Sequence, residues 1–404
     1  CGFISLAGKR GSAPTMVLTR AAFGVRGARV PAVLSWLLTV GWETALTSLA
    51  VLATSTVFTA LGFAGGTSTK IIALIVVAAL IFASGVFGFT LIMRLQVVIT
   101  VVTGVLTVVY AILVLDRVDL ATVASLPPAA VPQVIGGLVF MMTGFGLGWV
   151  NLAADYSRYL PRSANGAAVV GWTTFGAALA PVLLLIFGVL LAGSSPALNE
   201  AIGADPIGAL TTLLPAWFLV PFVIVAVLGL VGGAVLDIYS SGLALLSAGL
   251  RAPRWAAAGI DGCLMIIGSI YIVFFAADFL GPFQGFLITL GVPIAAWCGI
   301  MLADVALRRS DYVEEDLYRT DGRYGDVRIL PVALIVIGTV LGWGLVTNAS
   351  APWLAWQGYL LGPLGGRDGD WAYANLGVAL ALLIGFVGYL VPARRTVAAQ
   401  EGRG

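Results

Sequence analysis

The sequence predicts an all-α protein with many membrane-spanning helices. Three observations predict this class: 60% of the 404 residues are hydrophobic and 10% are charged, long apolar runs recur along the chain, and basic residues sort between alternate loops. An ordinary soluble domain is about a quarter charged. This much apolar surface therefore requires the bilayer as its solvent.

Apolar runs long enough to cross a bilayer define the predicted spans. A spanning helix needs about 20 consecutive apolar residues, and ten segments meet this requirement. They cover residues 30–61, 71–92, 95–115, 133–153, 167–193, 214–248, 260–278, 283–307, 330–347 and 372–392. We expect residues 1–404 to form a single transmembrane domain with no second folded unit.

Basic residues indicate how the spans are oriented. All of them except Lys70, Arg117 and Arg367 fall on one side of the predicted topology, and the positive-inside rule makes that side cytoplasmic. The loop 308–329 is then cytoplasmic, the loop 348–371 is extracellular, and the C-terminus is cytoplasmic. With both ends inside, a complete protein would carry an even number of further spans, most simply two before the first residue.

The residue types that are missing exclude several function classes. The chain has no histidine and three cysteines, and Cys1, Cys263 and Cys298 give neither a disulfide framework nor a metal spacing. A net charge of +2 does not indicate binding to nucleic acid. The sequence shows neither the catalytic cluster of an enzyme nor the repeated pore motifs of a channel. We expect a carrier of a small solute that needs no metal or organic cofactor.

Two acidic residues stand out because charges inside a membrane span are costly and mark function by default. Of the nineteen acids, Glu43 and Asp237 are the two predicted to lie well inside spans. No basic residue lies deep in a span, so neither carboxyl has an evident ion-pair partner. Each is a candidate for carrying a proton or binding a cation. The alternative is a protonated carboxyl that only bonds to a neighbouring helix.

The fourth predicted span combines glycines with a tryptophan. Gly144, Gly146 and Gly148 cluster near its middle, where a helix can open and expose its backbone to a ligand. Close helix packing is the alternative explanation. Trp149 follows directly and Trp42 lies in the first span, so two indoles are available to sandwich a planar ring, although either one can equally be core packing.

Several segments between residues 15 and 330 occur in an order typical of one family. They are RAAFGVRGARVPA at 20–32, GW at 41–42, GWVNLAADYSRYLP at 148–161, LDIYSSGLAL at 236–245, GIMLADVALRR at 299–309 and DGRYG at 321–325. With these segments the chain resembles the nucleobase–cation symporter family of purine–cytosine permeases. The last two predicted spans match that family mainly in number.

The resemblance implies a LeuT-like fold, an inverted five-helix repeat followed by two C-terminal helices. Ten of the family's twelve spans would be visible here, the third to the twelfth. It also implies that a planar base stacks between Trp42 and Trp149, that Gly148 lies at a helix break, and that Asp237 replaces a ring-binding residue that is usually Asn.

Two departures from the family pattern affect the expected ligand and ion. Leu46 stands where the family commonly has Gln or Asn for the ligand. Val231 and Gly232 stand where sodium-coupled members have Ser or Thr, which favours a proton, carried by Asp237 or Glu43, over sodium as the coupling ion. We therefore expect a monomeric proton symporter in a bacterial plasma membrane that imports a purine, cytosine or related planar N-heterocycle. The alternatives on the same fold are an allantoin- or hydantoin-type symporter and an amino acid or amine carrier.

Overall fold

Helices make up the regular structure of this protein. The structure, a computed structural model, describes residues 1–87, 89–348 and 351–402, and the regular elements in these ranges are helical, as the sequence predicts. The helices used below are α1 (Gly2–Gly11), α2 (Arg29–Ala60), α3 (Thr67–Phe87), α4 (Phe89–Val114), α5 (Val131–Met141), α6 (Gly166–Gly193), α7 (Ala216–Ser247), α8 (Arg254–Phe274), α9 (Leu280–Leu307), α10 (Ile329–Trp343), α11 (Leu376–Leu390) and α12 (Arg394–Glu401).

Most of the predicted spans coincide with long apolar helices. In the described ranges, 8 helices are long and apolar enough to cross a membrane, and they correspond to the first eight predicted spans. The second prediction, 71–92, runs past α3 into α4, and the seventh, 260–278, begins inside α8. At the ninth and tenth predictions, α10 and α11 have 15 residues each, and α11 continues into α12 with a bend of 56°. The total of ten spans therefore stays a prediction.

The bundle has a clear centre and periphery. In α9, 78% of the most apolar stretch is buried, whereas in α6 the share is 6%, so α6 presents its apolar surface outward to lipid and α9 occupies the core. Small residues bring helices close together. Leu46 of α2 packs directly onto Gly233 of α7, and Thr44 of α2 packs onto Gly268 of α8. As a result α2, α7 and α8 form a tight group of three helices.

Segments predicted to be cytoplasmic gather at one end of the bundle, here called the loop end and formed by residues 12–28, 151–162, 248–253, 304–328 and 389–401. The backbone N–H of Val25 donates to the Gly325 carbonyl over 3.0 Å, and that of Arg26 donates to the Asp326 carbonyl over 2.8 Å. Gly24 permits this approach, because its φ is +79° and a Cβ there would lie 2.6 Å from the Asp326 carbonyl oxygen. The motifs RAAFGVRGA and DGRYG, distant in sequence, therefore meet in space.

Candidate functional site

The indole of Trp42 lies directly against Gly148. A Cβ on Gly148 would be 3.0 Å from Trp42 Nε1 and 3.2 Å from Cζ2, so glycine is what lets the two elements approach this closely. Phe283 of α9 meets the same indole edge-on, with ring centroids 5.3 Å apart. The Nε1 donor of Trp42 is buried and has no hydrogen-bond partner in the described part of the chain. Trp42 thus offers an aromatic surface and an unused donor.

The helix that carries Gly148 is irregular. After α5 the chain forms a wider π-helical segment, Met142–Leu147, then a short α-helical piece, Gly148–Val150, a turn at Asn151 and Leu152, and a last piece, Ala153–Ser157. Single π-helical turns are frequent at functional sites. The chain is widened but still helical at Gly144 and Gly146, where a Cβ would find its nearest neighbour at 3.9 Å. Among the three predicted break glycines, Gly148 alone is tightly packed.

Trp149 lines a different space from Trp42. It borders a cavity of about 570 Å³ together with Ser5, Phe145, Tyr156 and Thr173. Within the described residues the two indoles do not form a ring contact with each other. A ligand held between Trp42 and Trp149 therefore stays a prediction.

Three carboxyl groups lie together in the tight group of α2, α7 and α8. Glu43 is 0% exposed, Asp237 is 2% exposed and Asp261 is 0% exposed. Asp237 and Asp261 are the charged neighbours of Glu43. Both carboxyl oxygens of Glu43 lack a hydrogen bond of normal geometry to any described residue. We call these three residues the acid layer.

Asp261 corrects the prediction that only Glu43 and Asp237 lie well inside spans. Its Oδ1 accepts a hydrogen bond from Trp36 Nε1 over 2.5 Å, and its Oδ2 accepts one from the Ser241 hydroxyl over 2.7 Å. The span predicted from hydropathy begins at residue 260 and places Asp261 at its edge. The helix begins earlier, at Arg254. The apolar run WAAAGI before Asp261 indicates that the span extends further towards the N-terminus.

A further buried acid was also missed, near the end of α9. Asp304 is 0% exposed and pairs with Arg308 over 2.6 Å. Its Oδ1 accepts a hydrogen bond from the Tyr389 hydroxyl over 3.0 Å. Because this carboxylate is fully paired, it differs in kind from the carboxyls of the acid layer.

The two departures from the family pattern have a structural outcome. Leu46 fills the space over Gly233, one turn before Asp237, so it makes an apolar contact between α2 and α7. The carbonyl oxygen of Gly232 accepts a hydrogen bond from the Gln96 side chain. Val231 is buried and apolar. This stretch of α7 therefore offers no side-chain oxygen and has one backbone oxygen already in use.

Three features define a class, the membrane transporters of small solutes: an apolar helical bundle with an irregular helix, an aromatic surface beside that helix, and buried carboxyls that form no ion pair among the described residues. The chain belongs to the family described as permeases for cytosine/purines, uracil, thiamine and allantoin, whose sequence model matches residues 1–362. The predicted family is thereby confirmed, and the chain is a transporter and not an enzyme.

Known proteins support the same conclusion. The chain is 22% identical over 385 residues to a putative purine-cytosine permease, YxlA, of Bacillus subtilis, covering 93% of this chain and 78% of that protein. Its fold is similar to Mhp1, a nucleobase-cation-symport-1 family transporter, in a closed conformation with bromovinylhydantoin bound, with a TM-score of 0.68, 20% identity and coverage of 98% and 82%. The inward-facing conformation of Mhp1 gives a TM-score of 0.64 at 20% identity and coverage of 98% and 81%. These similarities confirm the predicted LeuT-like fold of a multi-pass membrane protein.

Proposed function

We propose that this secondary transporter imports a purine, cytosine or a related planar N-heterocycle together with a proton. The observation that carries the proposal is the contact of the Trp42 indole with Gly148 on the irregular helix. An indole face binds flat rings by stacking. A widened helix allows the backbone and side chains around it to separate when a ligand enters.

Two groups are available to form hydrogen bonds with a heterocycle. Trp42 Nε1 is a donor with no hydrogen-bond partner among the described residues, and Asp237 keeps slight exposure in the bundle interior. An ionised carboxyl accepts from ring N–H groups, and a protonated one also donates. Purines, pyrimidines and hydantoins all carry both N–H donors and carbonyl or nitrogen acceptors, so these two groups suit them.

A proton is favoured over sodium as the coupling ion. Sodium needs several oxygen ligands, and the stretch of α7 at Val231 and Gly232 lacks side-chain oxygens. Glu43 and Asp237, in contrast, are buried carboxyls that have no basic partner among the described residues. Desolvation disfavours a bare carboxylate, so each of these groups is suited to hold a proton and release it when its surroundings change.

Orientation follows from the basic loops. Basic residues of several predicted cytoplasmic loops lie at the loop end, including Arg26, Arg158, Arg308 and Arg328. We propose that this end faces the cytoplasm of a bacterial cell and that the C-terminus lies there too. Transport then proceeds by alternating access around the buried site.

Uptake into proteoliposomes with an imposed pH gradient tests the proposal. We expect saturable uptake of at least one of cytosine, adenine, hypoxanthine, uracil, allantoin and hydantoin, stimulated by an acidic outside. Each pH unit supplies about 1.4 kcal/mol per proton, enough for about tenfold accumulation. If none of these compounds is taken up, the proposed substrate class is wrong. If uptake follows a sodium gradient instead of the pH gradient, the proposed proton coupling is wrong.

A pair of tryptophan variants makes the same assay specific for stacking. Trp42→Ala is expected to abolish saturable uptake, whereas Trp42→Phe keeps an aromatic face and retains part of it. Trp217→Ala is the matched control, because Trp217 is 65% exposed on the outer surface of α7. Equal uptake by Trp42→Ala and Trp217→Ala would show that Trp42 does not stack the substrate.

The acid layer favours one second candidate, an amino acid or amine carrier. Its three buried carboxyls form no ion pair within the part of the chain that the structure describes, and a cationic ligand could neutralise their negative charge. Competition separates the two candidates in one experiment. Uptake of a labelled amine that other amines inhibit, and that cytosine and hypoxanthine do not inhibit, would favour the amine carrier.

A further inference from the structure

Asp261 has no role in the proton-coupled import proposed above, although it is as deeply buried as Glu43. We infer that Glu43, Ser241 and Asp261 form an internal proton relay, with Asp261 as a third proton-binding site on the side of the loop end. As a coupling pathway the relay rests on the proposed function, but its proton exchange is measurable without any transported substrate.

The relay has a direction because its members lie at different depths. Arg29 at the start of α2 lies beside Gly249, just beyond the end of α7, with Nε 3.1 Å from the position of a Cβ on Gly249. At 1.5 Å per helical residue, Trp36 is about 10 Å from that end of α2 and Glu43 about 21 Å. Asp261 contacts Trp36 and so shares the shallower level.

Ser241 lies between these two levels. It follows Asp237 by one helical turn on α7, towards the loop end, and its hydroxyl bonds to Asp261 Oδ2 over 2.7 Å. The side chain of Glu43 leans towards the start of α2, as Cβ atoms in helices do, and Ser241 is a neighbour of its carboxyl. In the relay, a hydrogen bond that forms between the Glu43 carboxyl and the Ser241 hydroxyl joins Glu43 to Asp261, which Ser241 already contacts.

The chemistry of the donors determines what each atom does. An indole N–H donates and never accepts, so Oδ1 of Asp261 accepts from Trp36 throughout, and Oδ2 is the oxygen that takes up a proton. In the transfer, Glu43 O–H donates its proton to Ser241 Oγ while the Ser241 proton passes to Asp261 Oδ2. Glu43 becomes a carboxylate, Asp261 becomes a carboxylic acid, and Ser241 remains a hydroxyl.

The surroundings of the relay keep the proton on these groups. Asp237 on α7 is the other acid that faces Glu43. Asp155 and Tyr156 lie beside the neighbouring Ser240, and Arg158 on that side is hydrogen-bonded to Tyr159 and Tyr239. In the described residues the three carboxyls of the acid layer do not converge as a metal site.

Hydrogen–deuterium exchange of the Glu43 carboxyl, followed by time-resolved infrared spectroscopy, tests the relay. The full chain is reconstituted in vesicles and mixed rapidly with D2O, and the band that Glu43→Gln removes is assigned to Glu43. We expect Ser241→Ala and Asp261→Asn to slow exchange of that band by at least about tenfold, because a positioned proton-transfer group is worth about that or more. Ser241→Thr retains the hydroxyl and is expected to restore fast exchange.

The adjacent serine provides a matched control. Ser240 is 1% exposed and lies outside the relay, and Ser240→Ala removes a buried hydroxyl just as Ser241→Ala does. The Glu43 band of Ser240→Ala is therefore expected to exchange as fast as that of the wild type. Equal exchange rates in Ser241→Ala and Ser240→Ala would overturn the relay, and so would a Glu43 band that never appears. Wild-type protein that binds no cytosine, adenine or hypoxanthine would instead contradict the proposed function, whatever the exchange rates show.

Discussion

Buried charges occur in two regions of this protein, and the regions treat them in opposite ways. At the loop end, Arg308 is 5% exposed and pairs with Asp304 over two contacts of 2.6 and 3.0 Å. Its guanidinium also donates to Gln400 Oε1 over 2.7 Å and to the Ala21 carbonyl over 3.3 Å, and it lies over the ring of Tyr312. In the acid layer, Glu43 is just as buried and lacks a hydrogen bond among the described residues.

The difference indicates a structural role for the paired charges around Arg308 and a functional role for the acid layer. A buried charge that is fully paired holds elements in place, and the Arg308 cluster joins α9, α11, α12 and the segment before α2. A buried carboxyl without a partner contributes little to folding and persists where its change of charge is useful. Substitutions in the first region should therefore reduce stability, and substitutions in the second should reduce transport while the fold survives.

The largest effect is expected from breaking the paired cluster. Asp304→Ala leaves Arg308 buried without its counter-charge, which destabilises a protein by about 3–5 kcal/mol. We expect most of the variant to be lost from the monodisperse peak in fluorescence size-exclusion chromatography. The double variant Asp304→Leu with Arg308→Met removes both charges and should recover part of the folded protein. A single variant as stable as wild type would contradict the structural role.

The second prediction concerns transport without loss of fold. Asp237→Asn keeps the size and hydrogen-bonding capacity of the side chain but cannot exchange a proton, so we expect substrate binding to persist and pH-driven accumulation to disappear. Radioligand binding and proteoliposome uptake measure the two properties on the same preparation. If accumulation by Asp237→Asn still follows the pH gradient, Glu43 is the residue that carries the coupled proton. Glu43→Gln is then expected to lose pH-driven accumulation.

The third prediction uses the three glycines of the irregular helix. Gly148→Ala places a methyl group 3.0 Å from Trp42 Nε1, and such overpacking typically costs 1–3 kcal/mol. We expect it to displace the indole and weaken substrate binding by about tenfold. Gly144→Ala and Gly146→Ala are matched controls, because a Cβ there meets nothing closer than 3.9 Å. Equal losses at all three positions would show that helix flexibility matters more than the Trp42 contact.

Sequence reasoning reached the fold class and most helices because long apolar runs determine both. It found Glu43 and Asp237 because each lies in the middle of such a run. It missed Asp261, which is separated from the loop Arg251–Pro253 by only two helical turns and is buried through contacts with Trp36 and Ser241 on other helices. It missed the pairing of Asp304 with Arg308 for a related reason, since a span boundary assigned from hydropathy says nothing about packing at that boundary.

The resemblance brought in residue roles that hydropathy alone cannot supply. Trp42 and Gly148, assigned to one site by the family pattern, are in direct contact. The position of Trp149 beside a separate cavity could not be predicted, because which face of an irregular helix turns inward depends on how the π-helical segment rotates the residues after it.

The smallest effect is expected from an exposed ion pair at the loop end. It tests how strongly burial determines the contribution of an ion pair to stability. Arg26 donates to Asp326 Oδ1 over 2.7 Å, and this hydrogen bond lowers the pKa of the Asp326 carboxyl below its ordinary value. The stabilisation is therefore complete well above the unfolded pKa of about 3.9, and it is lost as the pH falls through the lowered folded pKa.

Arg26→Gln should thus lower the melting temperature slightly at neutral pH and leave it unchanged at pH values below the lowered pKa of Asp326. Thermal unfolding in detergent measures both conditions. Arg319→Gln is the control, since its arginine is as exposed as Arg26 and its pair with Asp321 does not connect distant segments. Exposed pairs are screened by water and salt, so we expect Arg26→Gln to cost much less stability than Asp304→Ala. An equal loss of stability would mean that the connection of distant segments matters more than burial for the stability of the loop end.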